Sequence, residues 1–276
     1  MINKISKLPV HLVLACSLAA CAGLETGQKV AAPVPEIMPG VLQGYLPQKP
    51  ALQSVVFVPA APQEGSARQQ LDDQASAYAT TLRDTPRWEM AKHDAHLSFP
   101  AAADTFSCAL DIPISETQTP ALYMLLRRTL SDIGLASYSA KNAYARARPF
   151  MVNGEAICTP DKEQNLRTDG SYPSGHTAIG WGWALMLAEL APERAEALLA
   201  RGRAYGESRI VCNVHWYSDV VAGRMVGAAA VATLHANAEF LQAMAAARED
   251  IASARKSGLT APGDCAAEQA NLSFGL

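Results

Sequence analysis

The sequence predicts an all-α protein, folded as a compact single-domain helical bundle. From Ala67 onward, apolar residues recur at three- and four-residue steps, which is the period of an amphipathic helix. No segment after residue 66 alternates in the manner of paired strands. The chain has 276 residues and is 49% hydrophobic, which is enough material for one sizeable core.

The periodic segments are separated by prolines and define the helices in order. Leu122, Leu126, Leu130 and Ile133 illustrate the pattern within the third segment, which we expect to break near Gly134. The two most apolar segments stop short of the roughly 20 apolar residues that a membrane span requires. The predicted helices cover residues 67–83, 85–97, 118–148, 175–190, 193–208, 214–236 and 238–256.

Residues 1–20 have the layout of an export signal. MINKISK carries two lysines and precedes the short apolar run LPVHLVLACSLAA. Leu-Ala-Ala before Cys21 resembles a bacterial lipobox, which implies cleavage before Cys21 and a lipid on its sulfur. Ordinary cleavage at nearly the same place is the alternative. Either way we expect a periplasmic protein, held to the outer membrane when Cys21 is lipidated.

Residues 21–66 are predicted to be a Pro/Ala-rich tether followed by an extended segment, QSVVFVPA, that lies on the domain. The frequent prolines exclude a helix of any length here. The helical domain is then expected to cover residues 67–276.

Four cysteines remain if Cys16 is removed and Cys21 is lipidated. In an oxidising compartment they allow three pairings, between which the sequence does not choose. We favour Cys158 with Cys212, because both flank the motifs described next, which leaves Cys108 with Cys265. None of them forms a CxxC pair, so a structural zinc site is not expected.

The net charge of −3 and the lack of a large Lys/Arg cluster argue against a nucleic-acid surface. A small basic cluster, KNAYARARP, does stand out. Lys141 and Arg148 are seven residues apart, so on one helix they would share a face and could hold an anion. Pro149 is expected to end that helix. Arg146 lies off this face and is interpreted as structural.

A second cluster, GSYPSGHT, is interpreted as a helix start. Ser174 is a suitable N-cap, and Gly175 lets a ligand approach the backbone. Free N–H groups at a helix N-terminus favour anions. His176, in the first turn, can titrate near neutral pH, whereas Gly170, Ser171 and Tyr172 receive no role.

The third cluster is SRIVCNVHWYSD. Arg209 offers a planar fork that suits phosphate. His215 and Asp219 are four apart and would share a helix face. The carboxylate could then fix the imidazole tautomer and leave the other ring nitrogen as a base or nucleophile.

The spacings KxxxxxxRP, PSGH and SRxxxxxHxxxD together resemble the phosphatidic acid phosphatase type 2 superfamily, which is shared with vanadium haloperoxidases. GSYPSGHT is similar to the hallmark of the bacterial class A non-specific acid phosphatases. The resemblance implies the all-α fold of that superfamily and a broad, metal-independent phosphomonoesterase without a cofactor. It also implies small phosphomonoesters as substrates, a homo-oligomer, and phosphotransfer as a side activity.

The resemblance also implies residue roles. His215 would be the nucleophile that forms a phosphohistidine, Asp219 would hold it, and His176 would protonate the leaving alcohol. The phosphate oxygens would be bound by Lys141, Arg148, Ser174, Gly175 and Arg209.

Three alternatives remain open. They are a vanadate-dependent haloperoxidase, a phospholipid-headgroup phosphatase and a non-catalytic anion-binding lipoprotein. Other conspicuous residues are interpreted as structural or receive no role: His93, His96 and His235 as surface or packing residues, Trp181 and Trp183 as core, and Asp72, Asp73 and Asp94 without a role.

Overall fold

A computed structural model of the chain describes residues 1, 33–47 and 52–275. Residues from Val34 onward form one compact unit. Its α-helices, in chain order, are α1 (Ser54–Phe57), α2 (Ala67–Thr80), α3 (Pro86–His93), α4 (Ala101–Asp104), α5 (Ser107–Leu110), α6 (Pro120–Leu135), α7 (Tyr138–Tyr144), α8 (Pro149–Asn153), α9 (Glu163–Arg167), α10 (Gly175–Leu190), α11 (Ala195–Val211), α12 (Tyr217–Leu234), α13 (Ala238–Lys256) and α14 (Cys265–Ala270).

Helix α10 is the centre of the bundle. It packs most extensively against α11 and α12, and α6 packs against both α10 and α13. At Gly202, an added Cβ would lie 2.4 Å from the Cβ of Ala184, so only a glycine permits this approach of α11 to α10. The indole of the fully buried Trp183 donates to Thr129 Oγ1 at 3.2 Å, in agreement with a core position. This packing brings the start of α10 next to the end of α11.

The all-α fold is confirmed. Helices α10 and α13 have the predicted bounds, and α2, α3, α11 and α12 differ from prediction by a few residues at their ends. The sequence missed the short helices α1, α4, α5, α8, α9 and α14, because four to six residues are too few to show a helical period.

The third predicted helix, 118–148, is two helices, α6 and α7, followed by a non-helical stretch that leads into α8. The expected break near Gly134 is found between α6 and α7. A second break follows Tyr144, where Ala145 has a φ of 42°. Arg148 is therefore the extended N-cap of α8, and Pro149 begins a helix instead of ending one. Proline suits the first helical position because its fixed φ matches the helix and its missing N–H would have no partner there.

The segment before residue 67 also differs from prediction. Strands β1 (Glu36–Met38) and β2 (Val41–Leu42) form a short antiparallel hairpin. Within QSVVFVPA, predicted to be extended, Ser54–Phe57 forms the helical turn α1, and Ser139 Oγ accepts a hydrogen bond from the N–H of Val55 at 3.1 Å. The predicted export signal after Met1 and the predicted lipidation site Cys21 lie outside the described residues.

Two disulfides join Cys158 to Cys212 and Cys108 to Cys265, which confirms the favoured pairing. In the described part of the chain, none of the helices has the length and apolar character to span a membrane.

Candidate active site

The N-terminus of α10 forms one side of a cavity of about 470 Å³. Ser174 caps the helix, since its Oγ accepts hydrogen bonds from the N–H of Thr177 at 3.2 Å and from Thr177 Oγ1 at 2.9 Å. Ser174 is fully buried and does not line the cavity, whereas Gly175 and His176 do. Phosphate binding by the Ser174 side chain stays a prediction.

Lys141 and Arg148 meet although they do not share a helix face as predicted. Lys141 comes from the last turn of α7, and Arg148 comes from the N-cap of α8. Both are buried and both contact Asp169 Oδ2, at 3.2 Å from Lys141 Nζ and 2.9 Å from Arg148 Nη2. Arg148 is held further by carbonyls, including that of Val214 at 2.9 Å from Nη1. The irregular chain, and not a helix repeat, therefore aligns the two cations.

His215 precedes α12 instead of lying on it, so the predicted shared helix face with Asp219 is wrong. Asp219 is in the first turn of α12, and its carboxylate turns back to accept the N–H of Trp216 at 2.9 Å. The same oxygen, Oδ2, lies 3.3 Å from His215 Nδ1. A proton on Nδ1 forms a hydrogen bond to this oxygen and leaves Nε2 unprotonated. Nε2 lies 3.2 Å from Arg148 Nη1, and His215 lines the cavity.

Arg209 completes the ring of cations. It is buried at the end of α11 and lines the cavity. Its Nε has no hydrogen-bond partner among the residues that the structure describes, and its Nη1 contacts Cys212 Sγ at 3.9 Å. A buried guanidinium with so few partners is suited to receive an anion.

The chain is similar to known proteins over most of its length. The sequence profile of the PAP2 superfamily matches residues 120–241. The chain is 40% identical over 240 residues to a non-specific acid phosphatase of Providencia stuartii, covering 86% of this chain and 97% of that protein. It is 40% identical over 221 residues to an acid phosphatase of Zymomonas mobilis (78% and 82%) and 37% identical over 211 residues to a non-specific acid phosphatase of Salmonella typhimurium (76% and 84%).

The chain belongs to the PAP2 superfamily, among its bacterial non-specific acid phosphatases. This confirms the resemblance carried by the three motifs. The superfamily match covers residues 120–241 and so includes all three motifs, from Lys141 to Asp219.

Burial and nearby cations shift the pKa values of the two histidines of this PAP2 site in the same direction. Burial, with Arg148, Lys141 and Arg209 adding to it, lowers the pKa of His215 well below its usual value. Burial and Arg209 do the same to the pKa of His176. Both shifts favour the neutral imidazole, and His176 Nε2–H donates a hydrogen bond to the carbonyl of Ala95 at 3.2 Å.

The charged partners are shifted as well. Burial, with Arg148 nearby, lowers the pKa of Lys141 to about 8, and burial lowers the pKa of Arg209 to about 10. Burial also raises the pKa of Asp219, against the attraction of Arg146. Each of these shifts disfavours the charged form, so a bound anion at the cavity would stabilise the cations.

The sequence missed several residues of the PAP2 site. Arg146 donates to Asp219 Oδ1 and to Asp72 Oδ2, both at 2.7 Å, so it reaches the site directly. Ser171 Oγ donates to Asp219 Oδ2, and Asp169 pairs with both cations. Arg146 is more than 70 residues from both Asp72 and Asp219 in the sequence, so no local spacing could have predicted these two contacts.

Other residues singled out from the sequence lie outside the cavity. Ser208 donates to Asp94 Oδ2 at 2.6 Å, and Asp94 also pairs with the buried Arg201. Asp94 and Asp72, which received no role, thus fix α3 and α2 to the bundle. His235 pairs with Glu189 at 2.8 Å, at the far end of α12. Among the described residues, no three His, Cys, Asp or Glu side chains are grouped so that they could hold a metal ion.

Proposed function

We propose that this acid phosphatase hydrolyses a broad range of phosphomonoesters through a phosphohistidine on His215, without a metal. The observation that carries the proposal is the arrangement of three buried cations, Lys141, Arg148 and Arg209, around the same cavity that the imidazole of His215 lines. Phosphoryl transfer spreads negative charge over three oxygens and needs fixed positive charge and in-line positioning.

The first half-reaction transfers the phosphoryl group to the enzyme. His215 Nε2 attacks phosphorus, the new P–N bond forms, and the P–O bond to the alcohol breaks. Asp219, on Nδ1, stabilises the positive charge that the ring acquires. His176 gives its proton to the departing oxygen, which leaves as the neutral alcohol.

The second half-reaction regenerates the enzyme. Water attacks the phosphohistidine, the P–N bond breaks, and phosphate leaves. His176, now neutral, accepts the proton of the attacking water and is ready for the next cycle. An alcohol in place of water would give phosphotransfer.

The lowered pKa values agree with activity in acid. His215 stays neutral, and therefore nucleophilic, at a pH at which an ordinary histidine is protonated. His176 must instead carry a proton when the ester is bound. The negative charge of a phosphoryl group beside it favours the protonated form, so we expect His176 to gain its proton together with the substrate.

Hydrolysis of p-nitrophenyl phosphate at acid pH tests the enzymatic assignment. Wild-type protein should turn over and His215→Ala should not. Acid-quenched labelling should also find phosphate on His215 in the wild type alone. Equal turnover by both proteins, or turnover by neither, would overturn the assignment. A panel of nucleotides, sugar phosphates and aryl phosphates then measures the breadth of substrates.

We also propose that the protein is exported and anchored through lipid on Cys21. Two disulfides are typical of an oxidising compartment and support export. Cys21→Ser should release the protein from the membrane fraction if the lipid is the anchor. Homo-oligomer formation stays a prediction, which the molar mass in solution checks.

A further inference from the structure

The cavity continues beyond the cations along an apolar wall. Leu130 and Leu135 of α6, Ile179 of α10, and Phe99 line this part. The lining is mostly apolar, although the phosphoryl end carries three cations and two histidines. An alcohol attached to a phosphoryl group at His215 would extend along this wall.

The hairpin of β1 and β2 supplies the opposite side, with residues 38–41 on the cavity. The segment that follows the hairpin, residues 43–46, is fixed to α6 by polar contacts. Asp132 accepts the N–H groups of Tyr45 and Leu46 at 2.8 and 3.0 Å, and Arg128 donates to the carbonyls of Gln43 and Gly44 at 3.1 and 3.0 Å. An added Cβ at Gly44 would lie 2.0 Å from Asp132 Oδ1, so a side chain there would push the segment off α6.

We propose that this wall and hairpin form a leaving-group site that prefers phosphomonoesters of apolar alcohols. The inference rests on the proposed function, since it names the substrate class of the same site. An apolar leaving group that enters the cavity removes its own surface and that of the wall from water.

A series of straight-chain alkyl phosphates from methyl to hexyl tests the site. All have leaving alcohols of similar acidity, so differences in rate along the series report burial of the alkyl chain and not the ease of breaking the P–O bond. Catalytic efficiency, kcat/KM, should rise about two- to fourfold per methylene until the cavity is filled. The leaving group of glycerol 3-phosphate is similar in length to a propyl group but polar, so its kcat/KM should be close to that of methyl phosphate.

Two variants locate the effect. Leu130→Asn on α6 and Val41→Asn on the hairpin should each reduce the ratio of hexyl to methyl phosphate efficiency. Leu241→Asn, on the exposed face of α13, is the matched control and should keep the wild-type ratio. Val41 lies on a different element, so a folding defect of Leu130→Asn alone does not decide the outcome. A flat alkyl series with normal turnover of p-nitrophenyl phosphate overturns the leaving-group site alone, whereas no turnover of any ester overturns the proposed function.

Asp169 carries a second, independent inference. Its carboxylate is one-third exposed, lines the cavity, and contacts the two cations that would hold phosphate. A phosphoryl group bound to Lys141 and Arg148 must therefore bring its oxygens close to Asp169 Oδ2. Two negative oxygens at that distance repel each other, but a P–OH group can donate a hydrogen bond to the carboxylate.

We infer that Asp169 selects the singly charged form of the phosphoryl group. Phosphate esters lose their second proton at a pH of about 6, so the form with a P–OH group predominates in acid. The other charged or titratable groups that line the cavity are Lys141, Arg148, Arg209, Arg127, Tyr138, His176 and His215. Of these, the four cations attract both forms of phosphate, and none of the seven is a carboxylate that would disfavour the dianion.

Competitive inhibition by sulfate and inorganic phosphate tests this selection between pH 5 and 7.5. Sulfate stays doubly charged throughout, so Asp169→Asn should strengthen sulfate inhibition on the order of tenfold. For phosphate, the same variant should strengthen inhibition more at pH 7.5 than at pH 5. Asp161→Asn, an exposed carboxylate paired with Lys162, is the control.

A purely structural Asp169 would behave differently. Its loss would weaken both anions by a similar factor at every pH, and this result would overturn the selection. Asp169→Ser provides a second variant with the same expectation, so poor folding of one variant does not decide the outcome.

Discussion

Arg146 Nη1 donates a hydrogen bond to Asp219 Oδ1 at 2.7 Å, while the other oxygen of the same carboxylate faces His215. Arg146 is also fixed by Asp72, which lies on α2 and is far from the motifs in sequence. The guanidinium therefore holds the carboxylate that orients the proposed nucleophile. It does not line the cavity, so it acts as a positioning residue.

Arg146→Gln should shift the acid limb of the pH profile of kcat/KM upward by at least about one pH unit. Arg146 opposes the effect of burial on the pKa of Asp219, so its removal raises that pKa further. As the pH falls, Asp219 then gains a proton earlier and His215 loses its negative partner. The pH–rate profile measures the shift.

Two controls separate positioning from folding. Arg146→Lys retains the charge and should restore part of the profile. Arg83→Gln removes an arginine from an exposed pair with Glu155 and should leave the profile unchanged. An equal loss at every pH in Arg146→Gln would point to a structural role alone.

His176→Ala should affect esters according to their leaving groups. Alkyl phosphates need protonation of the departing oxygen, so their kcat should fall by about 10²- to 10⁴-fold. p-Nitrophenyl phosphate releases a stable anion and should lose much less. His235→Ala, with a histidine paired to Glu189 away from the cavity, should match wild type. A uniform loss for both kinds of ester would exclude His176 as the proton donor.

Chelation should leave turnover intact. Lys141, Arg148 and Arg209 supply the positive charge that the transferred phosphoryl group requires. Activity on p-nitrophenyl phosphate is measured before and after dialysis against EDTA. Complete loss, with recovery on addition of a divalent cation, would contradict the metal-independent mechanism.

The two disulfides should differ in their effect on catalysis. Replacing Cys158 and Cys212 by serine should cost about 4 kcal/mol of unfolding free energy in the chain-entropy picture. It should also lower kcat, because Cys212 contacts Arg209 and is the first residue of the loop that carries His215. Urea unfolding and kcat measure the two effects.

Replacing Cys108 and Cys265 by serine is the matched comparison. This pair closes the longer loop and joins α5 to α14, outside the cavity. We expect a stability loss of about 5 kcal/mol with kcat unchanged. A fall in kcat of similar size in both double variants would contradict a local role for Cys158 and Cys212.

The sequence by itself determined the helical class and the chemical types at the site. Helix α10 could be predicted to its end residues because its apolar run, its N-cap Ser174 and the proline after it are all local signals. Motif spacing also singled out Lys141, Arg148, Arg209, His176 and His215, which line one cavity.

Only the tertiary structure decided which groups meet. Arg148 reaches Lys141 because the chain turns at Ala145, not because seven residues make two helical turns. Arg146, Asp169 and the β1–β2 hairpin come to the site through contacts between distant parts of the chain. Local periodicity reports which face of a segment is buried, but the partner of a buried charge is chosen by packing, which leaves no signature in the spacing of either residue.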